Sequence, residues 1–285
     1  MNIRLFFSFL TLVLIGPLFQ SCDHEPATIP AYVRIDTIPL DSTSFDSTGA
    51  TSHQIRFAWV YINDNLQGVY KLPALFPVLY EGDVDFKIFA GVNENGISTS
   101  ATRYFFYAPY DTTEKLAVGD TTTLRPHVRY QKGLQVPYMQ DFNSTLNAPF
   151  EKVSGSGFFN ITVSPGIAQE GAGAGLMYLP SGGENLVIES QTLNIPTGRP
   201  GYYIELDYRN NCNFLLGVRS AASTQGGTYL GVRPREQWNK IYINVTQIID
   251  QLSAQGTNYR IFFVVPQDTS VGEQTVLIDN LKLLY

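Results

Sequence analysis

The chain has 285 residues, a formal net charge of −6, 15% charged and 13% aromatic residues, and two cysteines. It has no basic run, which excludes a nucleic-acid partner, because phosphate binding needs clustered Lys and Arg; two cysteines also exclude a disulfide framework. Frequent Gly, Pro, Thr, Ser, Tyr and Val, with no strong amphipathic helix, predict an all-β protein with many short strands, long enough for two domains.

The chain opens with a short head carrying one positive charge at Arg4, then an apolar run from Leu5 to Leu18. That run, about 14 residues, is too short for a stable membrane-spanning helix and matches a secretory signal core. Leu18-Phe19-Gln20-Ser21-Cys22 follows at once. A signal ending in cysteine resembles the lipobox of bacterial lipoproteins, although Phe19 and Gln20 depart from the usual residues there. The resemblance implies that residues 1–21 are removed and that Cys22 carries acyl chains such as palmitate, which tether the rest to a membrane. Asp23 and Glu25 make the next residues acidic, which resembles an inner-membrane retention signal in some Gram-negative bacteria and a surface-export signal in others; the domains that follow, not these residues, lead to the expectation of an outer-membrane location. Residues 22–31 read as the lipidated end and a polar, proline-containing tether.

A first domain is expected over 32–131. Ile55, Phe57, Trp59 and Tyr61 alternate with their neighbours as a strand does, Asn63-Asp64-Asn65 supplies a turn, and Leu66 to Leu72 returns as a hairpin partner. Val84, Phe86 and Ile88 alternate again, Asn95-Gly96 marks another turn, and Arg103 to Tyr107 reads as an aromatic strand. The segment from Val60 to Tyr70 resembles the VxVNGxxxG hairpin of transthyretin-like and immunoglobulin-like modules, implying a small antiparallel sandwich.

A second domain is expected over 136–285. Strands are read at Tyr202–Tyr208, Phe214–Val218, Tyr229–Val232, Trp238–Val245, Arg260–Val265 and Val276–Leu284, with a helical turn or two at Ile248–Ala254. Gly171 to Gly175 reads as a flexible turn, since it lacks the strand-then-helix setting of a phosphate cradle. Strands at this spacing fit a jelly roll, so the whole is expected to be two tandem antiparallel β-sandwiches. The strings GYYIELDY, WNKIYINV, NYRIFFVV and TVLIDNLKLLY resemble the strands of galactose-binding-like jelly rolls, which include many carbohydrate-binding modules. That resemblance implies a structural calcium between the first and last strands, for which Asp141 and Asp279 stand at the matching ends.

Sugar binding calls for aromatic faces and a few polar groups on one surface. In the strand at 202–209, Tyr203, Glu205 and Asp207 share a face, and Tyr242 sits on a neighbouring strand. With Arg219, Arg233 and Arg260 they are expected to line a glycan-binding groove, unless that face is merely solvated. Catalysis is weakly supported: no Gly-x-Ser-x-Gly elbow or His-Glu-x-x-His pair occurs, and only the paired acids Glu205 and Asp207 suggest glycan cleavage. Cys212 is expected to be a small buried residue and Trp238 a packing residue. The expected protein is a non-enzymatic, lipid-anchored envelope protein that displays a glycan-binding jelly roll; a structural or adhesion lipoprotein is the alternative.

Overall fold

A computed structural model describes residues 28–41, 49–146, 148–223 and 227–285. Cys22 and the leader lie outside these residues. Among the described residues the fold is all-β, in two sandwiches, with one short α-helix.

The first sandwich is built from β1 (Ala31–Ile35), β2 (Phe57–Ile62), β3 (Asn65–Lys71), β4 (Ala74–Val78), β5 (Gly82–Asn93), β6 (Ala101–Arg103), β7 (Tyr110–Leu116) and β8 (Thr121–Leu124). One sheet has the order β4-β1-β8; the other runs β3-β2-β5, with β6 and β7 both on the free edge of β5. Period-two alternation explains the layers: Ala58, Val60 and Ile62 of β2 and Val84, Phe86 and Ile88 of β5 turn inward against Val33 and Ile35 of β1. One pair departs from the antiparallel rule, since β1 lies parallel to β8. Asn95 and Gly96 both take positive φ, 56° and 69°, as a type I′ turn requires.

The second sandwich comprises β9 (Tyr138–Gln140), β10 (Phe150–Ser154), β11 (Phe158–Val163), β12 (Gly173–Leu179), β13 (Leu186–Ser190), β14 (Leu193–Asn194), β15 (Tyr203–Asn210), β16 (Phe214–Ser220), β17 (Thr228–Val232), β18 (Arg235–Asn244), helix α1 (Thr246–Leu252), β19 (Asn258–Val265) and β20 (Gln274–Leu284). Its inner sheet, order β11-β12-β20-β15-β18 with β9 on β20, faces the first sandwich. Its outer sheet, order β10-β13-β19-β16-β17 with β14 on β19, lies on the far side. The chain passes repeatedly between the two sheets, a jelly-roll arrangement. Between them lies a dry core that includes Ile188, Ile204, Leu206, Phe214, Val218, Ile261, Phe263 and Leu283. Cys212 is buried in that core as a free thiol.

Two local expectations are corrected. Tyr104 to Tyr107 form no continuous strand: β6 ends at Arg103, and Tyr104-Phe105-Phe106-Tyr107 turn as a compact aromatic group. Gly171 to Gly175 is not simply a turn, since β12 starts at Gly173. A Cβ on Gly175 would stand 2.9–3.0 Å from Ile278, Phe142 and Phe159, so this glycine lets three core side chains close over the strand.

Candidate functional site

The expected groove does not exist as one surface. Tyr203, Glu205 and Asp207 do share a face of β15, and Tyr242 pairs beside Glu205 on β18. That face, however, points into the seam between the sandwiches, where Tyr203 is 3%, Glu205 0%, Asp207 2% and Tyr242 1% exposed. The cover comes from the first sandwich. Tyr104 packs edge-on against Tyr203 and Tyr242 at 5.4 and 4.8 Å, and these two rings join the first sandwich's own core. A strap at residues 49–54 crosses the rest: Ser52 Oγ donates to Asp207, and the Gln54 amide donates to Tyr242 Oη at 3.0 Å.

Apart from Lys282, the buried charges of the seam have explicit partners, as burial demands. Glu205 accepts hydrogen bonds from Tyr104 Oη and Tyr130 Oη, each at 2.7 Å, and Lys240 Nζ stands 3.5 Å from both Glu205 and Asp207. Burial pushes the Glu205 carboxyl up, but Lys240, Lys282 and the two hydroxyls outweigh it and hold it below the usual carboxylate range. Lys240 moves the other way: burial favours loss of its proton, yet the two carboxylates raise its pKa. Lys282 is fully buried with no hydrogen-bond partner for Nζ among the described residues, and burial together with Lys240 lowers its pKa to about 8. Its ammonium lies 5.4 Å from the Tyr130 ring. The arrangement joins the two sandwiches, with both acids buried between them.

Asp141 and Asp279 do not fit a calcium cage. Asp279 is fully buried, and its oxygens accept backbone N–H groups from Gln169 (3.0 Å), Glu170 (3.1 Å) and Asn280 (2.8 Å). N–H donors occupy the lone pairs that a cation would need. Burial still raises the Asp279 carboxyl to about 7. Exposed Asp141 accepts from the Asn143 amide in a local turn. Among the described residues no group of three or more His, Cys, Asp or Glu is arranged for a metal.

Arg219 lies on the opposite side of the second sandwich, and Arg233 is exposed in the β17–β18 turn, where its carbonyl accepts from Asn210 Nδ2 at 3.3 Å. The environment of Arg219 is the candidate site. Inward residues Ile188, Val218 and Ile261 alternate with outward Glu189, Arg219 and Arg260 along β13, β16 and β19. Register sets Arg219 directly opposite Arg260, a repulsive pairing by itself. Glu189, one rung away opposite Phe262, resolves it: one carboxylate oxygen pairs with Arg219 and the other takes Arg260 Nη1 at 3.2 Å. Glu189 and Arg219 are 4% and 7% exposed, whereas the Arg260 side chain is 36% exposed. Burial, then the neighbouring Arg260, pulls the Arg219 pKa down from its usual value.

These residues floor an open cleft of about 1160 Å³, whose other wall is the stretch from Tyr138 to Val153. Gln140, Gln191, Glu151 and Lys152 add amide, carboxylate and ammonium groups to the lining. The lining therefore holds both donors and acceptors. Sequence reasoning found Arg219 but missed Glu189, whose polar partners lie on strands distant in sequence.

No protein-family model matches the chain, and no curated protein matches it. Solved structures that resemble it include TmCBM61 in complex with β-1,4-galactotriose (16% identity, TM-score 0.34, 48% of this chain and 88% of that one). A family 11 carbohydrate-binding module from Clostridium thermocellum in complex with a β-1,3-1,4-mixed-linked tetrasaccharide is also similar (13% identity, TM-score 0.35, 53% of this chain and 94% of that one). An exo-β-agarase is matched over 24% of its own length and 50% of this chain (11% identity, TM-score 0.37).

Proposed function

We propose that this chain is a lipid-anchored envelope protein that binds glycan, without cleaving it, through the cleft on the outer sheet of its second sandwich. The observation that supports this reading is the Arg219–Glu189–Arg260 floor. Two of its charges are buried and mutually fixed, and the third reaches an open cleft lined by Gln140 and Gln191. Fixed polar groups of both signs present hydroxyl-matching donors and acceptors with little ordering cost. The burial of Glu205 and Asp207 favours binding over hydrolysis, since water and a glycosidic bond would have to reach both acids. Anchoring rests on Cys22 and its preceding apolar run.

A glycan array probed with the full protein tests the binding. Recognition of a neutral oligosaccharide that Arg260→Ala weakens by roughly tenfold is expected. Absence of any array signal, or signals indifferent to Arg260→Ala and Gln191→Ala, overturns the cleft assignment. Mass spectrometry of residue 22 in protein from its native cells tests the anchor, and an unmodified thiol there removes it. A structural contact role is the second reading, favoured by Leu75 and Leu79, 63% and 70% exposed on the first sandwich.

A further inference from the structure

We propose that the seam between the two sandwiches holds a second binding pocket, selective for one acidic saccharide residue. A pocket of about 250 Å³ opens where the segment before β2, the end of β3 and the start of β18 converge. Four cationic residues line it: the buried Lys240, and three others, Arg56 and Lys71 from the first sandwich and Arg235 from the second. These three others are solvent-exposed, and none has a carboxylate within ion-pair distance among the described residues. No Asp or Glu lines the pocket. In a chain of net charge −6, three unneutralised cations around one small hollow are not the background of its surface.

The cations are set on fixed backbone. The Arg56 amide donates to Gly91 O at 2.9 Å, Lys71 pairs with Phe57 in the β2–β3 ladder, and the Arg235 amide donates to Asn210 Oδ1 at 2.9 Å. Guanidinium forks match the paired oxygens of a carboxylate or sulfate. The rest of the lining suits a sugar ring. Gln54 and Asn239 contribute amides whose side chains already meet at 2.9 Å. Asn93, which also lines the pocket, has a buried side-chain oxygen with no hydrogen-bond partner among the described residues. An unpartnered buried acceptor is costly unless a donor such as a hydroxyl completes it. The ammonium of Lys240 is committed to Glu205 and Asp207 beneath the pocket and adds no free charge. The hollow has room for one residue of a glycan. Its donor-rich lining contrasts with the mixed polarity of the outer cleft, so the two sites select different sugars.

Titration calorimetry of the full protein with glucuronate, glucose and inorganic sulfate tests the pocket. Glucuronate is expected to bind and glucose to give no heat; raising the salt concentration should weaken glucuronate binding. Arg56→Ala and Arg235→Ala should each weaken it by roughly tenfold or more while leaving the melting temperature unchanged, because both side chains are exposed. Arg260→Ala, in the outer cleft, should leave glucuronate binding intact, which separates this site from the first. Equal response to glucose and glucuronate, or unaltered binding in both arginine variants, overturns the proposal. So does sulfate binding as tightly as glucuronate, since the sugar ring would then contribute nothing.

Discussion

The two sheets of the second sandwich each carry a polar outer face, and the two faces have opposite fates. On the inner sheet, Tyr203, Glu205, Asp207, Lys240 and Lys282 lie under the first sandwich and are at most 4% exposed. On the outer sheet, Glu189, Arg219 and Arg260 floor an open cleft. Composition does not separate them, since both alternate ionised residues with apolar ones. What differs is the cover: tyrosine hydroxyls and a serine from the first sandwich on one side, an open cleft on the other. A face that looks solvated in sequence becomes internal when another domain supplies hydrogen-bonding groups at the right places.

The largest expected effect breaks the buried side. Glu205→Ala leaves two tyrosine hydroxyls without their acceptor and takes from Lys240 one of its two carboxylates, and should lower stability by about 3–5 kcal/mol in urea unfolding. Tyr104→Phe deletes one of those donors but keeps the ring packed against Tyr203 and Tyr242, so about 1.5–3 kcal/mol is expected. A loss of equal size in both variants would mean that the single Tyr104 hydroxyl bond carries all that the buried carboxylate contributes to the seam.

This contrast also marks where sequence reading stops. The all-β class and the sandwich arrangement were legible because alternation is local: Phe57 to Ile62, Tyr203 to Asn210 and Gln274 to Leu284 each declare a strand within a few residues. Asn95-Gly96 declared its turn for the same reason. Local alternation says which residues share a face, not what that face meets. The grouping of Tyr203, Glu205, Asp207 and Tyr242 was therefore right and their exposure was wrong. A signal was available in Tyr104-Phe105-Phe106-Tyr107, four aromatics that a three-residue edge strand cannot bury alone. Glu189 lay beyond reach, because its meaning depends on the β13-β19-β16 register joining residues 30 and 71 positions away.

Within the seam, the two lysines sharpen the comparison further. Lys240 is held between two carboxylates, whereas Lys282 has no hydrogen-bond partner and a pKa lowered to about 8. A lysine with a depressed folded pKa is charged in both states below pH 8, so burial of its charge then opposes folding in full. Between about pH 8 and 10.5 the folded state has released the proton while the unfolded state still holds it, and the penalty fades as pH rises. Lys282→Met should thus be neutral to stabilising, by about 1 kcal/mol at pH 7, with its advantage shrinking above pH 8. Urea unfolding of both proteins from pH 6 to 10 checks the sign; an advantage that grows with pH contradicts it.

The smallest expected effect belongs to the open face. Arg260 pairs with Glu189 at 3.2 Å, but its side chain is 36% exposed, and Arg219 remains to neutralise the carboxylate when Arg260 is removed. Arg260→Ala should therefore cost less than about 1 kcal/mol of stability, as partly solvated pairs usually do. Set beside Glu205→Ala, that value separates a charge kept for ligand from a charge kept for architecture. A cost near that of Glu205→Ala would place Arg260 among the supports of the sheet, and a loss of glycan binding in that variant would then follow from distortion of the cleft rather than from a missing contact. A cost below 1 kcal/mol together with lost binding leaves the guanidinium as a group whose main work lies outside the fold.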